Sequence, residues 1–191
     1  MPKINAPTVA EHREQRRADL LTAATSLILR GRAFTVAEVA TEVGLSRSAV
    51  YEYYSGAGDL VADVLVDELT DWADHLRAAT AHQVEPADVV HAWVVSVLGY
   101  VADGRHALVR AAASIELPPT RRAEVQALHR ELIAPLYEAL VAMDAPEPGQ
   151  LSAYVWGVVD AAINRIESGA CSADVESAAV LNFVRGGLER V

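Results

Sequence analysis

Along most of the chain, apolar residues recur every three or four positions, which is the spacing of one face of an α-helix. Near the N-terminus the repeat runs through Leu20, Ala24 and Leu27, and Gly31 follows where a helix would stop. No segment alternates apolar and polar residues in the manner of a half-buried β-strand. The pattern therefore predicts an all-α protein.

Beyond residue 58 the same spacing predicts six helices, which proline and glycine residues separate. Pro86 is placed to begin one of them, and Pro118 interrupts the pattern between two others. Pro135 falls inside a helical segment, where we expect its missing N–H to kink the helix. The predicted spans are 59–81, 86–103, 105–116, 119–143, 147–169 and 173–189.

Residues 36–55 contain two shorter helical segments with a glycine between them. Ala40 is small, as is required where the first segment approaches the second closely, and Gly44 adopts a positive φ without strain. Apolar side chains at matching positions would hold the two segments together: Val39, Val43, Leu45 and Val50. These spacings predict a helix-turn-helix, a motif that lays its second helix in the major groove of DNA.

Both segments of this motif have a suitable N-cap. Thr35 and Glu38 have the spacing of a capping box at the start of the first segment. Ser46 precedes the second segment, which covers about residues 46–54. The second helix should therefore begin at Ser46 and direct its first residues outward, as a DNA-reading helix must.

The residues predicted to contact DNA lie mainly in this second helix. Arg47 is its only basic residue, and an arginine can bind guanine through two hydrogen bonds. Tyr51 and Tyr53 offer rings and hydroxyls for phosphates, sugars or thymine methyls, whereas Tyr54 should pack inside. The predicted DNA-binding set is Thr35, Ser46, Arg47, Ser48, Tyr51 and Tyr53, with Arg13, Arg16 and Arg17 as the next candidates.

With one helix before the motif and a long helix after it, the N-terminal part resembles the TetR family of transcriptional regulators. The resemblance covers about the first 65 residues and implies a three-helix DNA-binding domain, followed by a helical domain that binds a ligand and dimerises. We therefore predict these two domains at residues 1–57 and 58–191. The resemblance is carried by Thr35, Val39, Ala40, Val43, Gly44, Leu45, Ser46, Val50, Tyr51, Tyr53, Tyr54 and Leu60.

One position departs from the family pattern. Members usually have a lysine at the start of the connecting helix, where it contacts a phosphate, and this chain has Ala57 there. Backbone N–H groups at the start of that helix could still bind a phosphate.

The charge of the chain is distributed unevenly. The formal net charge of the 191 residues is −10. Residues 1–60 contain seven basic and seven acidic residues, whereas residues 61–191 contain nine basic and nineteen acidic ones. The excess acid would repel nucleic acid and therefore belongs away from the DNA, while residues 1–60, which include the predicted DNA-binding domain, are neutral.

Aromatic residues of the C-terminal domain are candidates for a ligand pocket. Trp93, Val97 and Tyr100 share one helical face, and binding pockets are commonly lined with aromatic side chains. An aromatic stripe at this spacing is also typical of a packed core, so both interpretations stay open. The predicted pocket consists of Trp93, Val97, Tyr100, Tyr137 and Trp156, and it requires no metal or cofactor.

The last two predicted helices are apolar on most faces, which requires burial on more than one side. A second subunit is the interpretation we favour, as members of the resembled family dimerise through their last two helices. The alternative is that both helices pack within one subunit. The predicted interface residues are Val159, Ile163, Leu181, Val184 and Leu188.

Motifs of catalysis are absent from the sequence: it has no HExxH, GxSxG, CxxC or glycine-rich phosphate loop. An enzyme on this scaffold would need polar groups that converge in the C-terminal domain. Cys171 is the single cysteine and cannot form an internal disulfide. No apolar run reaches membrane-spanning length and no signal peptide opens the chain, so we expect a cytoplasmic protein.

These observations predict a homodimeric repressor that a small apolar or aromatic ligand releases from a palindromic operator in double-stranded DNA. The alternative is a helical ligand-binding or interaction protein on the same scaffold whose DNA binding is weak or lost. Exposure of Arg47, Tyr51 and Tyr53 on the second helix of the motif would favour the first hypothesis.

Overall fold

The computed structural model describes residues 9–31 and 34–188, and all regular structure in these ranges is α-helical. The predicted fold class is therefore confirmed. The described helices are α1 (Val9–Leu29), α2 (Val36–Glu42), α3 (Arg47–Tyr51), α4 (Ala57–Thr80), α5 (Pro86–Ala102), α6 (Ala107–Ala112), α7 (Pro119–Ala142), α8 (Pro148–Glu167) and α9 (Ala173–Leu188).

Most predicted spans agree with the observed helices to within two or three residues, but two were too long. The span 105–116 contains only α6, which ends at Ala112, because the chain then turns towards Pro118 and Pro119, the second of which begins α7. The second helix of the motif ends at Tyr51 and not near residue 54. α7 continues past Pro135 as one helix from Pro119 to Ala142.

Two compact units are defined by contacts within the chain. The head unit consists of Met1–Asp67 and Leu108–Ala123, and the body unit consists of Glu68–Ala107 and Glu124–Val191. The head unit therefore includes the first part of α4, most of α6 and the start of α7. The predicted boundary at residue 57 would leave these segments out, since sequence spacing does not reveal which distant segments pack together.

The head unit is built around α1, which packs on α2, while α2 packs on α3. The apolar repeat of α1 is buried as the sequence predicted. Of the four apolar residues predicted to hold the helix-turn-helix together, Val39 and Val50 are buried, whereas Val43 and Leu45 are only partly buried. Fully or almost fully buried side chains of this unit include Leu20, Ala24, Leu27, Val39, Ala40, Val50 and Leu60.

The body unit has its core where α5 packs against α8 and α9, which also pack on each other. Trp72, Trp93 and Tyr100 are the largest fully buried side chains here. The indole N–H of Trp93 donates a hydrogen bond of 2.8 Å to the backbone carbonyl of Leu132, so that its polar atom has a partner inside the core. No helix within the described ranges is long and apolar enough to cross a membrane.

Gly58, in the first turn of α4, permits a close approach between two parts of the head unit. A Cβ atom on Gly58 would lie 2.5 Å from the backbone oxygen of Glu116 and 3.2 Å from Pro118. Backbone atoms cannot move aside as the end of a flexible side chain can, so this position tolerates only glycine without rearrangement.

We expect Gly58→Ala to lower the free energy of unfolding by about 1–3 kcal/mol, because the new methyl group overlaps the Glu116 carbonyl. Gly56→Ala is a matched control, since a Cβ there meets no atom within 4 Å. Urea denaturation of both variants measures the difference. Equal stabilities of the two variants would contradict the close approach.

Candidate nucleic-acid interface

The turn between α2 and α3 is formed by backbone hydrogen bonds around Gly44. This residue has a φ of +68°. The N–H of Leu45 donates to the carbonyl of Ala40 at 2.8 Å, and the N–H of Gly44 donates to that of Thr41 at 3.2 Å. This pair of bonds is a Schellman motif, which ends α2 and turns the chain into α3.

Side chains cap both helices of the motif. The hydroxyl of Thr35 accepts a hydrogen bond of 3.2 Å from the Glu38 N–H and donates one of 3.0 Å to the Glu38 carboxylate. Ser46 accepts from the N–H of Ala49 at 3.2 Å, and its hydroxyl also bonds that of Ser48 at 2.9 Å. The predicted N-caps are thus present, and Thr35 and Ser46 fix the starts of α2 and α3.

The outer face of α3 presents a preorganised arginine. A guanidinium nitrogen of Arg47 donates to the hydroxyl of Tyr51 at 2.9 Å, and the guanidinium carbon lies 5.4 Å from the ring centroid. Arg47, Ser48 and Tyr51 are exposed. An arginine held along an aromatic ring loses less side-chain entropy when it binds, and its remaining N–H groups still point to solvent.

A second pair of this kind, which the sequence did not reveal, joins α1 to the segment after α3. The guanidinium carbon of Arg13 lies 5.4 Å from the ring centroid of the half-buried Tyr53. Arg13 itself is exposed. The signal for such a pair is tertiary, because forty residues separate its members along the chain. Arg13 therefore carries its charge beside Tyr53, a predicted DNA contact.

Asp63 of α4 binds three segments of the head unit. Its carboxylate accepts hydrogen bonds from Arg17 of α1 at 2.7 Å and from the hydroxyl of Tyr54 at 3.1 Å. Arg121, at the start of α7, also donates to it and lies 3.5 Å from the carboxylate of Asp59. Arg17, a candidate for DNA contact, is therefore engaged in a structural ion pair.

The surroundings of Tyr54 and Arg17 shift the pKa of both side chains. Burial raises the pKa of Tyr54 above its usual value, and the nearby carboxylate of Asp63 acts in the same direction. The hydrogen bond to Asp63 raises the pKa of Arg17. Tyr54 thus stays a neutral donor and Arg17 a cation at physiological pH. Tyr54 is buried in the head unit, as predicted.

The start of α4 holds a carboxylate of the chain itself. Asp59 accepts hydrogen bonds from both the N–H and the hydroxyl of Ser55, each at 3.2 Å. This acidic group lies in the first turn of α4, close to Ala57, where a helix would otherwise attract an anion. The expected phosphate contact by backbone N–H groups is therefore disfavoured at this helix.

In the body unit, the predicted pocket residues do not form one group. Trp93, Val97 and Tyr100 are fully buried, and the rings of Trp93 and Trp156 are 6.2 Å apart. Tyr137 is instead 45% exposed on α7. The structure brings Trp93 and Trp156 together but leaves Tyr137 on the surface.

Tyr100 belongs to an aromatic and polar cluster of the body unit. Its ring stacks on Trp72 with centroids 4.8 Å apart, and its hydroxyl donates to the carboxylate of Glu68. Burial raises the pKa of Tyr100, and the bond to Glu68 adds to this effect, so the phenol stays neutral. His106 lies edge-on to Trp72 and bonds Glu167 at 2.8 Å. Within the described ranges, no group of three or more His, Cys, Asp or Glu could hold a metal ion.

The predicted interface residues mostly face inward in the single chain. Val159, Ile163 and Val184 are buried, and Leu181 is partly buried. The side chain of Leu188 lies outside the described residues. A helix buries one face and presents the opposite one, so different apolar side chains of α8 and α9 are exposed. They are Tyr154, which is 62% exposed, Val175 at 58% and Phe183 at 66%.

Comparison with known proteins identifies the fold. No protein-family model and no curated protein matches the sequence. A TetR/AcrR-family transcriptional regulator from Thermobifida fusca is 19% identical with a TM-score of 0.69, over 89% of this chain and 96% of that chain. FadR from Bacillus subtilis, solved with stearoyl-CoA, is 12% identical with a TM-score of 0.70, over 87% and 96%.

Most of the similar solved structures are transcriptional regulators of the TetR family or FadR. A protein described as the superantigen pfit is also similar, at 16% identity and a TM-score of 0.70 over 86% of each chain. The chain thus has the all-α fold of TetR-family regulators, as its sequence resemblance predicted. At these identities the likeness concerns the fold, and the function depends on the site.

We expect Asp63→Asn to lower the free energy of unfolding by about 1.5–3 kcal/mol, because it removes the negative charge that two arginines share. Glu14→Gln is the control, since Glu14 also binds Arg17, at 3.5 Å, but its side chain is 72% exposed. That change should cost less than about 0.5 kcal/mol. Similar losses in both variants, measured by urea denaturation, would show that Asp63 is not the organising acceptor.

Proposed function

We propose that the protein is a DNA-binding transcriptional regulator that reads the major groove with α3. The observation that carries this proposal is the exposed Arg47–Tyr51 pair, at the start of a helix whose geometry is fixed by the Gly44 turn and the Ser46 cap. The fold shared with TetR-family regulators supports it. No catalytic role is proposed for any residue.

Phosphate contacts are assigned to the arginines of α1. Arg13 and Arg16 are exposed, and Arg13 lies over the ring of Tyr53. They would replace the lysine that the family usually has at the position of Ala57. The first 60 residues carry no net charge, so attraction to the DNA phosphates must come from the positions of these arginines and not from an overall positive charge.

The proposed regulator is a homodimer that pairs through the exposed faces of α8 and α9. Tyr154, Gly157 and Ala161 lie three and four residues apart on α8 and are all exposed, which leaves room for close helix packing. Val175 and Phe183 add exposed apolar area on α9. Several large apolar side chains exposed on neighbouring helices are typical of a protein interface. The buried residues Val159, Ile163 and Val184 would support this surface from within.

A small molecule is proposed to modulate DNA binding. The similar FadR structure contains stearoyl-CoA, which supports a ligand-responsive body for this fold. Binding shifts the balance between two conformations only as far as the ligand prefers one of them. We propose the direction that is usual for a repressor, in which the ligand lowers DNA affinity.

The alternative, a helical binding protein without DNA affinity, keeps some support from Ala57 and from the Asp59 carboxylate beside it. A salt titration of binding to random duplex DNA separates the two hypotheses. Affinity that falls steeply with salt concentration indicates phosphate contacts. Absence of binding even at low salt would favour the alternative.

For DNA readout, we expect Arg47→Ala to cost about 1–3 kcal/mol on a duplex selected from a random pool and to relax the sequence preference. Arg13→Ala should instead weaken binding to all sequences and reduce the salt slope by about 1. Fluorescence anisotropy at several salt concentrations measures both effects. The exposed Arg130 of α7 provides the control Arg130→Ala, which should change neither. Unchanged affinity and preference in Arg47→Ala would place the readout elsewhere.

For assembly, we expect Phe183→Glu to yield monomers in sedimentation experiments, because it places a charge in the apolar face shared by α8 and α9. Tyr137→Glu, on an exposed apolar residue of α7, should leave the dimer intact. In the dimer, the selected operator should be a palindrome with half-sites one helical turn, ~34–36 Å, or a multiple of it apart. A dimeric Phe183→Glu variant would refute this interface.

A further inference from the structure

A cavity of about 370 Å³ opens in the body unit between the start of α5, the end of α7 and the end of α9. Its apolar wall includes Val90 of α5 together with Leu181 and Val184 of α9. None of the residues predicted from sequence to form the pocket lines it. A cavity of this size is in the range of small-molecule sites.

Two opposite charges line the same cavity. Asp88 lies in the first turn of α5 and Arg185 in the last turn of α9. Among the described residues, neither side chain has a hydrogen bond or an ion pair, and the two are not paired with each other. Each charge is favoured where it lies, since a carboxylate suits a helix N-terminus and a cation suits a C-terminus.

The presence of both charges in one cavity restricts the chemical class of the ligand. A carboxylate on the ligand could accept two hydrogen bonds from the guanidinium of Arg185, and an ammonium group could bind Asp88. A ligand with a single charge would match one of these residues and repel the other. An apolar body would lie against Val90, Leu181 and Val184, while His91 adds a further polar group at the edge.

We propose that this cavity binds small amphipathic zwitterions, of which an apolar α-amino acid is the simplest kind, and that it is the effector site. The role as effector site rests on the proposed regulatory function. The cavity is distinct from the Trp93–Trp156 pair and from the buried Tyr100, none of which lines it.

Three probes that share a phenyl body test the charge requirement: L-phenylalanine, 3-phenylpropionate and 2-phenylethylamine. Calorimetry with the full chain, in the absence of DNA, should show that phenylalanine binds most tightly. Arg185→Met should weaken the binding of phenylalanine and phenylpropionate by about tenfold or more, and it should not weaken that of phenylethylamine, because it removes a charge that repels this cation. Asp88→Asn should weaken the binding of phenylalanine and phenylethylamine, and it should not weaken that of phenylpropionate, because it removes a charge that repels this anion.

Matched controls come from the same unit. Arg130→Met removes another exposed arginine, and Asp174→Asn removes an aspartate from the first turn of α9, as Asp88→Asn does from α5. Neither residue lines the cavity, so both variants should bind all three probes as the original chain does. Failure of every probe to bind, or an equal loss of all probes in Arg185→Met and Asp88→Asn, would overturn the site.

The effector role of the cavity is tested by a separate measurement. Saturating phenylalanine should lower the affinity of the original chain for its selected operator and leave that of Arg185→Met unchanged. Binding without an effect on operator affinity would overturn the effector role alone. If phenylalanine binds but no duplex does at any salt concentration, the cavity assignment stands and the proposed DNA-binding function fails. If the protein binds its operator but none of the three probes, the proposed DNA-binding function stands and the cavity assignment fails.

Discussion

In the described part of the head unit, the carboxylate of Asp63 accepts hydrogen bonds from three separate segments of the chain. These hydrogen bonds hold three groups against α4: Arg17 of α1, the hydroxyl of the buried Tyr54 and Arg121 at the start of α7. A buried polar group without a partner is costly, so each member of this cluster requires the others. Tyr54 lies three residues beyond the end of α3, and its anchoring therefore constrains the position of α3, the proposed DNA-reading helix, relative to α1. The arginines of α1 and α3 depend on this constraint for their relative placement.

The proposed reading surface combines local and distant interactions. The Gly44 turn and the Ser46 cap need only neighbouring residues, and they define where α3 begins. The placement of Arg13 on Tyr53 requires that α1 and the end of the motif be packed together. A region without net charge would attract nucleic acid only weakly at long range if it binds DNA as proposed. Affinity must then come from arginines that are already held in position, which reduces the entropy that binding would otherwise cost.

The body unit uses its large aromatic side chains mainly to fill its own core. Trp93 bonds a backbone carbonyl and lies beside Trp156, while Trp72 and Tyr100 stack on each other. One cavity of the body unit lies instead between the start of α5, the end of α7 and the end of α9, where Asp88 and Arg185 remain without partners among the described residues. Regulators and a superantigen share this fold. Ligand choice in such a fold is therefore a property of side chains and not of the arrangement of helices.

The sequence by itself determined the helices, the turn at Gly44, the caps at Thr35 and Ser46 and the burial of Tyr54. These features follow from periodicity and from hydrogen bonds between residues a few positions apart, which a linear pattern contains. Only the tertiary structure decided that Arg17 binds Asp63, that Arg13 lies on Tyr53 and that Trp93 is core. It also placed Val184 and Leu181 at a cavity and Phe183 on the surface, although all three lie within three residues. Which face of an almost uniformly apolar helix turns inward depends on the neighbouring helices, and the pattern of that helix alone does not contain this information.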